Sequence, residues 1–153
     1  MIYEKKINQW LESGLIKRQR KSFSQIRNLL SRASKDIRTA EQNLAIDEEA
    51  VYTFAYLSML RTGRAIMLLH GYRPDDGAQH RTTVEFATLV LGEKYRTLTR
   101  RFDQMRRRRN LFTYDPVDNL TEKETMEALR TAKRFVQEII QWIKEKDPQL
   151  ELF

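Results

Sequence analysis

DEEAVYTFAYLSMLRTGRAIMLLH, running from Asp47 to His70, decides the fold. Its apolar residues fall on every side of a helical projection, and only Arg61 and Arg64 bring charge into its body. A helix that is apolar all round is buried on all sides, as the central member of a bundle is. Asp47, Glu48 and Glu49 put acid at its start, where the positive end of the helix dipole favours it. Ala55, Ser58, Thr62 and Ala65 are small and lie along one side, which lets a neighbouring helix approach closely.

Working outward, the elements on either side also read as helices. Upstream, Phe23, Ile26, Leu30, Ala33, Ile37, Ala40 and Leu44 make the apolar stripe of a helix from about Ser22 to Leu44. Ser22 and Gln25 have capping-box spacing at its start. Downstream, Gly71 to Gly77 reads as a loop by its turn residues. A third helix then spans Ala78 to Leu91, with Gly92 closing it, and a fourth runs from Glu93 to about Thr113. Thr121 and Glu124 form a capping box for the last helix, which ends with Lys144 and Lys146 ahead of Pro148. No strand pattern and no internal repeat stands out. The expectation is all-α: an antiparallel up-and-down bundle of about five helices. It spans residues 22–147, between an N-terminal arm (1–21) with one short amphipathic turn and a C-terminal tail (148–153).

The composition narrows the function classes. There are no cysteines, so disulfides and thiolate metal sites are excluded, and a cytoplasmic setting is the expectation. No signal peptide is visible, and no uncharged run approaches the ~20 residues of a membrane span. The net charge is +7, and it is unevenly spread. Residues 1–46 carry ten basic and four acidic groups, and residues 93–116 carry eight and three; the two intervening and trailing blocks are each −2. Basic blocks attract polyanions. For the first block a solvated face is the simpler reading, and Lys17, Arg18, Arg20 and Lys21 read as a linker patch or a nucleic-acid tail. The second block holds seven arginines between Arg96 and Arg109, and there a polyanion partner stands level with solvation.

Within that block the run Arg106 to Pro116 carries the chemistry. Tyr95, Leu98, Phe102 and Met105 step by three and four, the spacing of one helix face. The next position on that face is Arg109, followed by Phe112. A guanidinium on an apolar seam needs a partner, because an unpaired buried charge is strongly unfavourable. Arg109 therefore either pairs across an interface or lines a polar cleft. Tyr114 and Asp115-Pro116 follow, and the proline should stop the helix. Arginine, with its fork of donors, and a tyrosine hydroxyl can together hold a phosphate, and Asn110 adds an amide in the same turn.

The chain has two histidines. His70 ends the central helix and packs or caps there. His80, in the first turn of the third helix, is the available imidazole for acid–base work. Two histidines in different elements make a poor metal site, so no metal and no cofactor are expected. A Gly-rich phosphate loop and a serine nucleophile elbow are both missing.

The order of these features resembles the HEPN superfamily of small helical-bundle proteins, in its stand-alone prokaryotic form. Three stretches carry the likeness: Trp10 to Lys17, Ala33 to Glu41, and Ala55 to Ala65 with Gly71-Tyr72-Arg73. His80 falls where the next helix of such proteins often has a histidine. In ribonuclease members an arginine, four to six residues and a histidine meet across a homodimer and cleave RNA. The resemblance puts that arginine at Arg109, with Arg108 as the alternative register, and Tyr114 at the histidine position. A tyrosine with an ordinary pKa of about 10 is a poor base near neutral pH. Some members pair with a small nucleotidyltransferase that modifies a tyrosine two residues further on, a position held here by Pro116.

The resemblance implies a homodimer of a toxin–antitoxin or defence-type pair. Arg109, Asn110, Tyr114 and His80 would line its cleft, and Arg100, Arg101, Arg106, Arg107 and Arg108 would steer RNA or a nucleotide into it. Metal-independent endoribonuclease activity with an Arg-x4-Tyr motif is one form this takes. The alternative is a non-catalytic dimeric module that binds RNA or a nucleotidyltransferase partner.

Overall fold

A computed structural model describes residues 1–75, 77, 79–115 and 119–150. Six helices carry the fold: α1 (Ile2–Glu12), α2 (Phe23–Gln42), α3 (Glu48–Leu69), α4 (Gln79–Leu91), α5 (Arg96–Tyr114) and α6 (Glu122–Lys146). A 3-10 turn, Glu93–Tyr95, leads into α5. Ala78, expected as the first residue of the third helix, Asp76 in the preceding loop, Pro116 and residues 151–153 of the tail lie outside the described residues.

The all-α bundle expected from the sequence is the architecture observed. The apolar helix α3 is its centre, packed against α2, α4, α5 and α6. Ala55, Ser58, Thr62 and Ala65 are all buried. Gly63 sets the closest approach: a Cβ there would stand 2.8 Å from the Thr83 methyl on α4 and 3.3 Å from the Phe102 ring on α5. Around that contact Tyr56, Phe86, Phe102 and Phe135 are fully buried. Phe102 lies 5.3 Å from Phe135 and 6.0 Å from Tyr56, ring centre to ring centre.

Local signals set the helix ends. Asp47 caps α3 by accepting from the Glu49 and Ala50 amides. Ser22 Oγ accepts from the Gln25 amide at 3.2 Å. At α6 the capping box is reciprocal, with Thr121 Oγ1 accepting from the Glu124 amide at 3.1 Å and Glu124 accepting from the Thr121 amide at 3.2 Å.

Two expectations are corrected. The N-terminal segment forms the eleven-residue helix α1 rather than one turn, and it buries Ile7 and Trp10 in the main core. The chain also holds a strand pair where no strand was expected. β1 (Ile16–Arg18) runs antiparallel to β2 (Tyr72–Pro74), with Lys17 opposite Arg73. Three-residue strands are too short to show a period of two, and the basic residues of β1 hid Ile16, which is 1% exposed. Flanking backbone bonds, Gln19 to Gly71 and Asp75 to Leu15, lengthen the ladder. Asp75 holds Lys17 at 2.7 Å and Arg73 at 2.8 Å, so the basic patch is partly neutralised at the clip. Gly71 turns the chain from α3 into β2 at φ 84°, a left-handed conformation open to glycine. The clip thereby fixes the segment that delivers α4 and His80.

Candidate functional site

The seam read from α5 is present. Tyr95, Leu98, Phe102, Met105 and Phe112 are buried, and Arg109 sits among them, half-buried. Its Nε is enclosed and has no hydrogen-bond partner among the described residues. Arg64 on α3 is in the same condition: its Nε is enclosed and unpartnered, and its Nη2 reaches Gln79 Oε1 only at 3.5 Å.

Both arginines bear on a tyrosine–histidine pair, Tyr56 buried and His80 half-buried. Tyr56 Oη stands 2.9 Å from His80 Nδ1, with the rings 5.6 Å apart. Burial pushes the His80 pKa down, and the Arg109, Arg64 and Arg106 guanidiniums push it the same way. Burial pushes the Tyr56 phenol up, against the pull of Arg106, Arg109 and Arg64. The phenol therefore keeps its proton, and the imidazole tautomer sets the direction of the Tyr56–His80 bond: Oη donates to Nδ1 when the ring proton is on Nε2, and Nδ1–H donates to Oη when it is on Nδ1. The first tautomer makes Nε2 a donor; the second leaves an Nε2 lone pair free to act as a base. Three guanidiniums, Arg109, Arg64 and Arg106, thus bear on one imidazole and one phenol, with Asp103 holding Arg106; arginine forks of this kind can hold an anion.

The other arginines of α5 divide by face. Arg108 turns to α6, where Nε donates to Glu124 Oε2 at 2.8 Å and Nη2 to the Asn119 carbonyl at 3.1 Å. This pair holds the Glu124 carboxyl below its usual range. Arg101 donates to Thr131 Oγ1 on α6 at 3.2 Å. Arg106 forks onto Asp103 at 3.1 and 2.9 Å, and Arg107 meets the other oxygen of the same carboxylate at 2.6 Å. Arg100 is exposed on the wall of a groove of about 950 Å³ between α4 and α5. Asn110 is half-buried beside Arg109.

A model of the HEPN domain family matches residues 26–146. The chain belongs to the HEPN domain family. No curated protein matches it. Membership ties the HEPN bundle to nucleotide- or RNA-related function in general terms.

Within one HEPN chain, Arg109 and Tyr114 are not brought together. Five residues along a helix turn the side chain by about 140° and advance it by about 7.5 Å. Tyr114 is 82% exposed at the end of α5, beside Leu111 at 53%. Arg109 bears electrostatically on His80 and Tyr56, as Arg64 does; the sequence reading named Arg109 and His80 and left out Tyr56 and Arg64. No sequence signal set Arg64 apart. It is a cation on an apolar helix with no carboxylate three or four residues to either side, but so is Arg61, which pairs with Asp36. Tyr56 gave none, because a tyrosine in an apolar helix reads as core. His70 is structural: its Nδ1 donates to the Ile66 carbonyl at 2.9 Å, and its ring stacks near Trp142. Among the described residues, no helix is long and apolar enough to cross a membrane.

Proposed function

We propose that this HEPN protein grips a phosphate of RNA or of a nucleotide in the crevice of Arg64, His80, Arg106 and Arg109. It does so as a homodimer belonging to a toxin–antitoxin or defence-type pair. One observation carries the reading: half-buried Arg64 and Arg109 each enclose a guanidinium Nε that has no hydrogen-bond partner among the described residues. An enclosed donor without an acceptor is costly, and a phosphate supplies acceptors and a countercharge. Leu111 and Tyr114, exposed at the C-terminal end of α5, offer an apolar surface that a second copy would cover.

In the tautomer with the ring proton on Nε2, His80 would donate to a phosphate oxygen while Tyr56 engages its Nδ1, and the site would grip without turnover. In the other, Nε2 would take the proton of an RNA 2′-hydroxyl as that oxygen attacks phosphorus and the 5′-oxygen leaves, protonated by water, with Arg109 stabilising the pentacoordinate phosphate.

Parent protein and Arg109→Ala, incubated with mixed single-stranded RNA in the absence of metal, test this on a gel and by fluorescence anisotropy. The expected result is binding that weakens steeply with salt and drops about thirtyfold in Arg109→Ala, a charge-assisted contact of about 2 kcal/mol. Cleavage by the parent but not by the variant would make the site a metal-independent endoribonuclease. Binding that ignores both salt and Arg109 would overturn the proposal.

A further inference from the structure

We infer that Tyr56 is a positioning residue for His80: its hydroxyl donates to Nδ1 and holds the imidazole in the tautomer whose proton is on Nε2. The consequence for RNA rests on the phosphate-gripping reading; the tautomer itself does not.

The two ends of this bond have unequal alternatives. Tyr56 is fully buried, and among the described residues His80 Nδ1, at 2.9 Å, is the partner its hydroxyl has. Were the ring proton on Nδ1, the phenol oxygen would accept it, and the phenol's own O–H would be left in the core without an acceptor. A buried donor without an acceptor is strongly unfavourable. His80 is under no such constraint. It is half-buried in the first turn of α4, and its Nε2 is not enclosed, so an Nε2–H keeps access to water or to a ligand.

The acidities of the two groups point the same way. A phenol is the better donor and an imidazole nitrogen the better acceptor, so O–H to nitrogen is the stronger of the two bonds. The ring is also neutral, as a choice of tautomer requires: burial and the guanidiniums of Arg109, Arg64 and Arg106 push its pKa down. Packing keeps the partners in place. Tyr56 lies against Phe102, 6.0 Å away centre to centre, and its ring is inclined by 35° to that of His80.

Held in this way, His80 can donate from Nε2 to a phosphate oxygen but has no lone pair there for a proton. Without the Tyr56 hydroxyl both tautomers are open. Nε2 can then take the proton of an RNA 2′-hydroxyl while that oxygen bonds to phosphorus, the bond to the 5′-oxygen breaks, and the 5′-oxygen takes a proton from water. Tyr56 thus sets the crevice to hold rather than to cut.

Nitrogen-15 NMR of the full chain at pH 8 tests this, since long-range proton–nitrogen couplings tell a protonated ring nitrogen from a bare one. His80 should show a protonated Nε2 and a bare Nδ1. His70, whose Nδ1 donates to the Ile66 carbonyl at 2.9 Å, should show the reverse and is the internal reference. His80→Asn assigns the two signals. In Tyr56→Phe the His80 pattern should move to an average of both tautomers with His70 unchanged. Metal-free cleavage of single-stranded RNA should rise about tenfold in that variant, whereas a merely structural role for Tyr56 would lower it. A proton on Nδ1 in the parent, or a His80 pattern unmoved in Tyr56→Phe, would overturn the inference. A pattern that moves while cleavage stays flat and RNA binding ignores Arg109→Ala would sink the phosphate reading and leave the hold on the tautomer standing.

Discussion

Two arginines three residues apart on α3 meet opposite fates. On the α2 side, Arg61 forms an ion pair with Asp36, whose carboxylate is 4% exposed. On the α4–α5 side, Arg64 bears on His80, as Arg109 and Arg106 also do, and among the described residues no ion pair holds it. The α5–α6 seam repeats the first pattern, with Arg108 on Glu124. Arg61 and Arg108, which bridge helices, have carboxylate partners, while the enclosed Nε atoms of Arg64 and Arg109 have none among the described residues. Under the proposed function that difference separates helix-bridging arginines from the two that await a ligand.

That contrast can be broken at its paired end first. Arg61→Ala strands the buried Asp36 carboxylate and should cost about 3 kcal/mol in urea unfolding, with RNA affinity unchanged. A loss under 1 kcal/mol would show that the pair is not buried in solution. At the unpaired end the sign should reverse. Arg64→Met removes a cation from a crowd of cations and should raise stability by about 0.5–1 kcal/mol, while phosphate affinity falls. A variant both less stable and unaltered in binding would erase the distinction.

The smallest effect is in pH. Burial lowers the pKa of both His70 and His80, so the folded chain binds their protons less readily than the unfolded chain does. Stability should therefore be full above the ordinary histidine value near 6.5 and decline as the pH falls below it. Urea midpoints at pH 7.5 and 5.5 should show that decline, and His80→Asn should flatten part of it. An unchanged slope in the variant would mean His80 is not held neutral by its neighbours.

The bundle was legible because its signals repeat over many residues. The stripe of α2, the all-apolar α3 and the Thr121–Glu124 box each state their role several times over. The strand pair was not legible, since its ladder depends on two short segments far apart in the chain. Half of the candidate site was readable. Arg109 declared itself by interrupting the Tyr95–Phe112 seam, and His80 by being one of two imidazoles. Which arginine serves which partner was hidden. Arg108 and Arg109 look alike in sequence, and a rotation of about 100° on the helix sends one to Glu124 and the other to the crevice.

The β1–β2 clip has a consequence for how the protein matures. It joins chain segments that lie on either side of two whole helices, so its loop closes only after α2 and α3 have found each other. Helix pairing is local and fast, and the clip is not. The crevice, whose α4 wall hangs from β2, should then be the last part of the domain to take shape, and the first to open when amides are challenged by hydrogen exchange.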